Sequence, residues 1–188
     1  MERKSEYPIM DEILTRWSPR AFEPIDIPDE HLFAMVDAAR WAPSSYNGQP
    51  WRFIYGKRGT PAWDKLFGLL VEFNQSWTKN ASALILFASK KTFDNGKSAP
   101  THAFDTGAAW QNFALEAQHQ GYHAHGMSGF DFEKARSELN IPDDYEVMAM
   151  AAVGKKADPS ILPENLQEMD KNMSGRKPVK ELVFEGSM

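Results

Sequence analysis

Side chains able to hold a polar ligand gather at three places in this sequence. Near the start stand Arg16, Ser18 and Arg20, in the middle runs Ser44-Ser45-Tyr46-Asn47-Gly48-Gln49, and near the end stand Arg176 and Lys177. Guanidinium groups beside a hydroxyl are charge-assisted donors of the kind that bind phosphate. Serine, asparagine and glutamine both donate and accept, as a polyol or an amide-rich ring requires. Pro43 and Pro50 bracket the middle run; they deny it a helix and remove two amide donors, so it should be a loop of fixed shape. Two readings of that loop stay open on local grounds. It either tidies a helix end through capping and turn bonds, or presents its groups to a polar ligand.

Other chemistries find less support. Asn95-Gly96-Lys97-Ser98 looks like the end of a phosphate-binding P-loop, but position 91 is Lys where the first glycine belongs. His119, His123 and His125 suggest a metal, yet Gly121 interrupts the helical spacing and no acidic ligand accompanies them, so satisfied or solvent-facing histidines are the better reading. No GxGxxG occurs, and Ser44 and Ser45 follow a helix where a serine nucleophile needs a strand-to-helix elbow. The absence of cysteine excludes disulfides, thiolate metal sites and cysteine nucleophiles. A net charge of −5 provides no general attraction to nucleic acid or anionic lipid, so an anionic ligand must be held by a local cluster. Neither an export signal nor a membrane span is visible, which points to the cytoplasm. A length of 188 residues with 42% apolar content suits one domain over residues 1–188.

Helices and strands interleave along the chain. A short helix is expected from Ile9 to Arg16, with Met10, Ile13, Leu14 and Trp17 on one side and a stop at Ser18-Pro19. Pro28-Asp29-Glu30 starts a second helix that carries Leu32, Met35, Val36 and Ala39 and ends at Pro43. A strand follows over Trp51 to Tyr55, then an amphipathic helix from Trp63 that runs past Leu70 toward Asn74. Ser82 to Ala88 is an unbroken apolar run, the mark of a strand buried on both faces. Asp105 to His119 is apolar or small on nearly every side, so this helix needs a covering surface that a second subunit could supply. Strands are expected at Tyr122 to His125 and Val147 to Val153, with a short helix over Asp131 to Leu139 between them. Beyond Gly154 the chain is polar and proline-punctuated until Glu181-Leu182-Val183-Phe184, a strand signal with no local partner.

In this order the segments resemble the FMN-dependent nitroreductase family. Arg16-Trp17-Ser18-Pro19-Arg20-Ala21-Phe22 is similar to its RRSxRxF start, with Trp17 where a second arginine is common. Ala42 to Trp51 is similar to its APSxxNxQPW loop, and Asp105 to Asn112 to its DxGxAxQN helix. Gly126-Met127-Ser128-Gly129-Phe130 and Arg176-Lys177-Pro178 complete the set, which spans almost the whole chain. The resemblance implies an α+β fold with a central mixed sheet flanked by helices. It further implies a homodimer with two FMN sites at the interface, each sheet completed by a C-terminal strand exchanged with the partner.

Residue by residue, the resemblance implies that Arg16 and Arg176, with Lys177 beside the latter, hold the FMN phosphate and that Ser18 assists. Arg20 would lie near the N1 and O2 edge of the flavin. Pro43, Ser44, Ser45 and Asn47 of the other subunit would line the ring and ribityl chain, while Gln49 and Trp51 fix the loop and fill the core. Asn74 is similar in position to a flavin-contacting asparagine, and Ser128 and Gly129 would lie beside N5 and O4. Trp17 and Trp77 would favour aromatic substrates. The activity implied is ping-pong hydride transfer from NADH or NADPH to nitroaromatics, quinones or other flat acceptors, with no side chain acting as acid or base. Two other activities stay open: a flavin-binding storage protein without turnover, and a specialised relative that performs reductive dehalogenation or flavin cleavage.

Overall fold

The computed structural model describes residues 3–171 and 173–188. Its centre is the apolar run, which forms the strand β2 (Ala83–Lys90) with seven of eight residues buried. Beside it lie β1 (Trp51–Lys57) on one side and β4 (Tyr145–Gly154) on the other, with β3 (His123–Met127) outside β4, giving the order β1-β2-β4-β3. All three pairings within the chain are antiparallel, where a mixed sheet was expected. A parallel neighbour would have to come from a strand that the chain does not add to its own sheet.

Alternation along β2 divides the core into two layers. Leu84, Leu86 and Ala88 pack with Trp63 and Leu66 of α3 (Pro61–Leu69), Ala135 of α6 (Phe132–Glu138) and Leu166 of α7 (Glu164–Lys171). Ala83, Ile85 and Phe87 pack with Leu32 and Met35 of α2 (Asp29–Arg40) and with Ala109 and Phe113 of α5 (His102–His119). Helix α3 starts close against the sheet: a Cβ on Gly56 would lie 2.4 Å from the Trp63 amide nitrogen, so only glycine fits there.

The expected helix from Trp63 toward Asn74 is two helices, α3 and α4 (Glu72–Thr78). Between them Leu70 and Val71 are extended, with ψ of 143° and 153°. The loop that follows β3 holds them so: Val71 N donates to Gly129 O at 3.1 Å, Asp131 N donates to Leu69 O at 2.9 Å, and Leu70 bridges Phe130. Tertiary hydrogen bonds outweigh helical continuity here, and the break aims Asn74 at Gly129. Helix α1 is short (Asp11–Thr15), and its expected inner face stays open, with Met10 62% and Ile13 44% exposed. Helix α7 was not expected; it buries Leu166 and a carboxylate, Asp170, which is a weak apolar signal.

Two further surfaces lack cover. On α5 the outward stripe of Ala103, Phe104, Gly107 and Gln111 is exposed, Phe104 by 81%. In the tail, Val179–Glu181 form a 3-10 turn, and Leu182, Val183 and Phe184 are exposed. The strand expected over Glu181 to Phe184 therefore does not form within this chain. No helix among the described residues is long and apolar enough to cross a membrane.

Candidate cofactor site

Two adjoining cavities share Arg16 and Ser18. The larger, about 470 Å³, lies between the first turns of α5, the end of β3 and the middle of β4, with Thr106, Trp110, Met127 and Met150 in its walls. Its floor contains an irregularity: β2 and β4 pair Phe87 with Ala149 and then Ala88 with Val147, leaving Met148 without an opposite residue. Such a bulge bends the strand and re-aims side chains, and Met148, Ala149 and Met150 all line the cavity. Gly126 lets the Trp110 ring lie close to β3, since a Cβ there would sit 3.0 Å from the indole.

The smaller cavity, about 300 Å³, is lined by four arginines, Arg3, Arg16, Arg20 and Arg176, together with Ser174 and His125. Positioning comes from behind. Asp170 of α7, 1% exposed, accepts from the amides of Arg20 (2.6 Å) and Ala21 (3.1 Å). His125 of β3 donates from Nδ1 to the Pro19 carbonyl at 2.9 Å. These bonds fix the turn from Arg16 to Ala21, while Arg16 Nη1 reaches Ser18 Oγ at 3.4 Å. Burial drives the His125 pKa down to about 4 against the pull of Pro19, aided by Arg20 and Arg16, so the ring is neutral near pH 7.

Among the described residues no carboxylate ion-pairs with the guanidinium groups of this cluster. Burial and the neighbouring Arg176 lower the Arg3 pKa, and burial, Arg3 and Arg176 lower that of Arg16. Arg20 Nε is buried without a protein partner. An orphaned buried donor in an uncompensated guanidinium cluster is the donor set that a phosphate dianion satisfies. The adjoining apolar cavity has a volume suited to a small-molecule site.

Of the residues singled out in the sequence, Arg16, Ser18, Arg20, Ser128 and Arg176 line these cavities, and Lys177, exposed, lines neither. The proline-bracketed loop also stands apart from both. Ser45–Asn47 make a 3-10 turn, Gln49 N donates to Ser44 Oγ at 3.1 Å, and Ser45 N donates to the buried Asp105 at 3.0 Å. Gln49 Nε2 donates to Asn47 O at 3.2 Å and Trp51 is 4% exposed, so both fix the loop and the core as expected. Yet Tyr46, Asn47 and Gln49 all hold positive φ (51°, 53° and 45°), and Pro43 and Asn47 are exposed. Strain of that kind concentrates at functional segments.

Asn74 does not open into either cavity. It is 7% exposed, donates from Nδ2 to Gly129 O at 2.9 Å and accepts from Trp77 Nε1 at 3.2 Å. Trp77, expected to shape the substrate pocket, is instead core, 2% exposed and stacked on Phe22. Gly129 lines no cavity surface, and a Cβ on it would meet Asn74 Nδ2 at 2.5 Å. Sequence reasoning missed Arg3, His125 and Asp170. No metal-binding cluster that would include His125 exists among the described residues.

Residues 13–60 and 57–155 match the model of the Nitroreductase family. The chain belongs to the nitroreductase family. A solved structure described as an oxidoreductase containing FMN is similar to it at 45% identity and a TM-score of 0.94, over 98% of this chain and 95% of that one. An uncharacterized 15.4 kDa protein of Mycolicibacterium smegmatis is 34% identical over 143 residues, 72% of this chain and 95% of its own. The major NAD(P)H-flavin oxidoreductase of Aliivibrio fischeri is 30% identical over 90 residues, 46% of this chain and 41% of its own. The nitroreductase-family match takes in Arg16, Ser18 and Arg20, while Arg3, Asp170 and Arg176 lie outside it.

Proposed function

We propose that the protein is an FMN-dependent oxidoreductase that uses NADH or NADPH to reduce nitroaromatics, quinones or similar flat electrophiles by a ping-pong mechanism, acting as a homodimer. The observation that carries this reading is the uncompensated arginine cavity opening through Arg16 and Ser18 onto the larger apolar one. The likeness to an oxidoreductase containing FMN and to an NAD(P)H-flavin oxidoreductase supports it.

Arg16, Arg20 and Arg176 hold the phosphate, with Ser18 as a further donor. Ser128 stands at the far wall as a neighbour of the ring, and Gly129, behind it, holds that wall through Asn74 and Val71. When bound, FMN supplies the two-electron carrier between the nicotinamide donor and the acceptor. Among the described residues neither carboxylate, imidazole nor thiol lines the larger cavity, so its residues bind and orient their ligands without acid or base work. Phe87, Trp110, Met127 and Met150 exclude water, and one shared cavity forces donor and acceptor to enter in turn. Pro43, Ser44, Ser45 and Asn47 complete the site from a second copy, which accounts for a strained polar loop remote from its own chain's cavities.

Initial rates at varied NAD(P)H and quinone concentrations test the mechanism. Parallel double-reciprocal lines are expected; intersecting lines, which require both substrates bound together, would overturn it.

A further inference from the structure

An additional guanidinium enters the anion cavity from outside the residues that match the family. Arg3, half-buried, donates from Nη1 to the carbonyls of Leu14 (3.2 Å) and Arg16 (2.7 Å), and from Nε to the carbonyl of Ser174 (3.2 Å). One side chain thus joins three segments: the N-terminal arm, the turn that carries Arg16, and the tail that carries Arg176. Three residues along the arm, Glu6 Oε1 accepts from Val179 N at 2.9 Å. The arm therefore grips the tail on both sides of Arg176. Arg176 meanwhile has its Nη1 on its own segment, 2.9 Å from Gly175 O.

Resting on the FMN reading above, we propose that Arg3 is a fourth guanidinium ligand of the phosphate site, delivered by an arm that fastens the tail, so that phosphate binding and tail docking reinforce each other.

The electrostatics supply the coupling. Arg3, Arg16 and Arg176 repel one another across the cavity, and no carboxylate among the described residues ion-pairs with any of them. Carbonyl oxygens hold Arg3 in place, but they offset the repulsion only in part. A dianion between the guanidinium groups replaces repulsion with attraction on the arm, the turn and the tail together. Because linkage is reciprocal, whatever docks the tail tightens phosphate binding by the same factor. An arginine that was only solvated would not bridge segments 171 residues apart while lining the cavity.

Flavin-fluorescence titrations of the full chain with FMN and riboflavin, with hydrogen exchange over residues 174–181, test the inference. Arg3→Met should raise the FMN dissociation constant about tenfold, the scale of one charge-assisted bond, and leave riboflavin binding unchanged. FMN should slow exchange over the tail of the wild type and do so less in Arg3→Met. Arg3→Lys, which keeps the charge but not the three-way bonding, should recover most of the FMN affinity without restoring the slow exchange. Unchanged FMN binding in Arg3→Met, or equal losses for both flavins, would overturn the ligand role. Tail exchange indifferent to FMN in the wild type would overturn the coupling. A wild type that does not prefer FMN to riboflavin would bring down the FMN reading itself, whereas a preference kept undiminished by Arg3→Met removes this inference alone.

Discussion

His125 shows how one side chain ties the site to the stability of the fold. Its ring lies 4.6 Å from that of Trp77, its Nδ1 donates to Pro19, and burial holds its pKa near 4 rather than 6.5. Between those values the unfolded chain binds a proton that the folded chain refuses, so stability falls as pH drops from about 6.5 toward 4 and is unaffected above. For this histidine alone the loss amounts to about 3 kcal/mol. Urea unfolding from pH 7 to 4.5 should show that decline, and His125→Asn should make it shallower; an equally steep decline in the variant would assign it to other groups. His123, displaced the same way by burial, Lys156 and Arg16, adds a decline of the same sign over the same window. At this scale the sequence reveals Arg16, Ser18 and Arg20 because they sit together in one short motif. His125 and Asp170 escape it because their partners lie 106 and 150 residues away.

The break between α3 and α4 determines what Asn74 does. Its amide spans the junction, donating to Gly129 O and accepting from Trp77 Nε1; in Asn74→Ala the buried indole N–H would be left unpaired, while Gly129 O would keep only the Val71 amide. That substitution should cost about 2 kcal/mol of unfolding free energy. Unchanged stability with lost FMN affinity would return the amide to a cofactor role. The four strands and the long helices were legible because apolar runs and helical periodicity are local signals. The break was not, since Leu70 and Val71 continue an amphipathic pattern and only their bonds to residues 129–131 pull them out of it. Helix α7 was hidden because its buried face includes the charged Asp170.

Among the exposed apolar surfaces of the described residues are the α5 stripe around Phe104 and the tail from Leu182 to Phe184. Exposed patches of this kind mark interfaces, and the dimer of the proposed function covers both. Sedimentation should find a dimer at micromolar concentration and a monomer, with weaker flavin retention, for Phe104→Glu. A monomeric wild type would contradict the shared site. The sheet order β1-β2-β4-β3 and the placement of the tail were beyond the sequence, because both depend on contacts between distant segments. The central claim, a flavin-dependent reductase, is tested most directly by adding NADH or NADPH without oxygen to the FMN-loaded protein. A flavin-dependent reductase bleaches its visible flavin band rapidly and recovers it when a quinone is added. A band that persists under excess of either nicotinamide, on protein shown to hold FMN, would contradict it and leave a flavin carrier in its place.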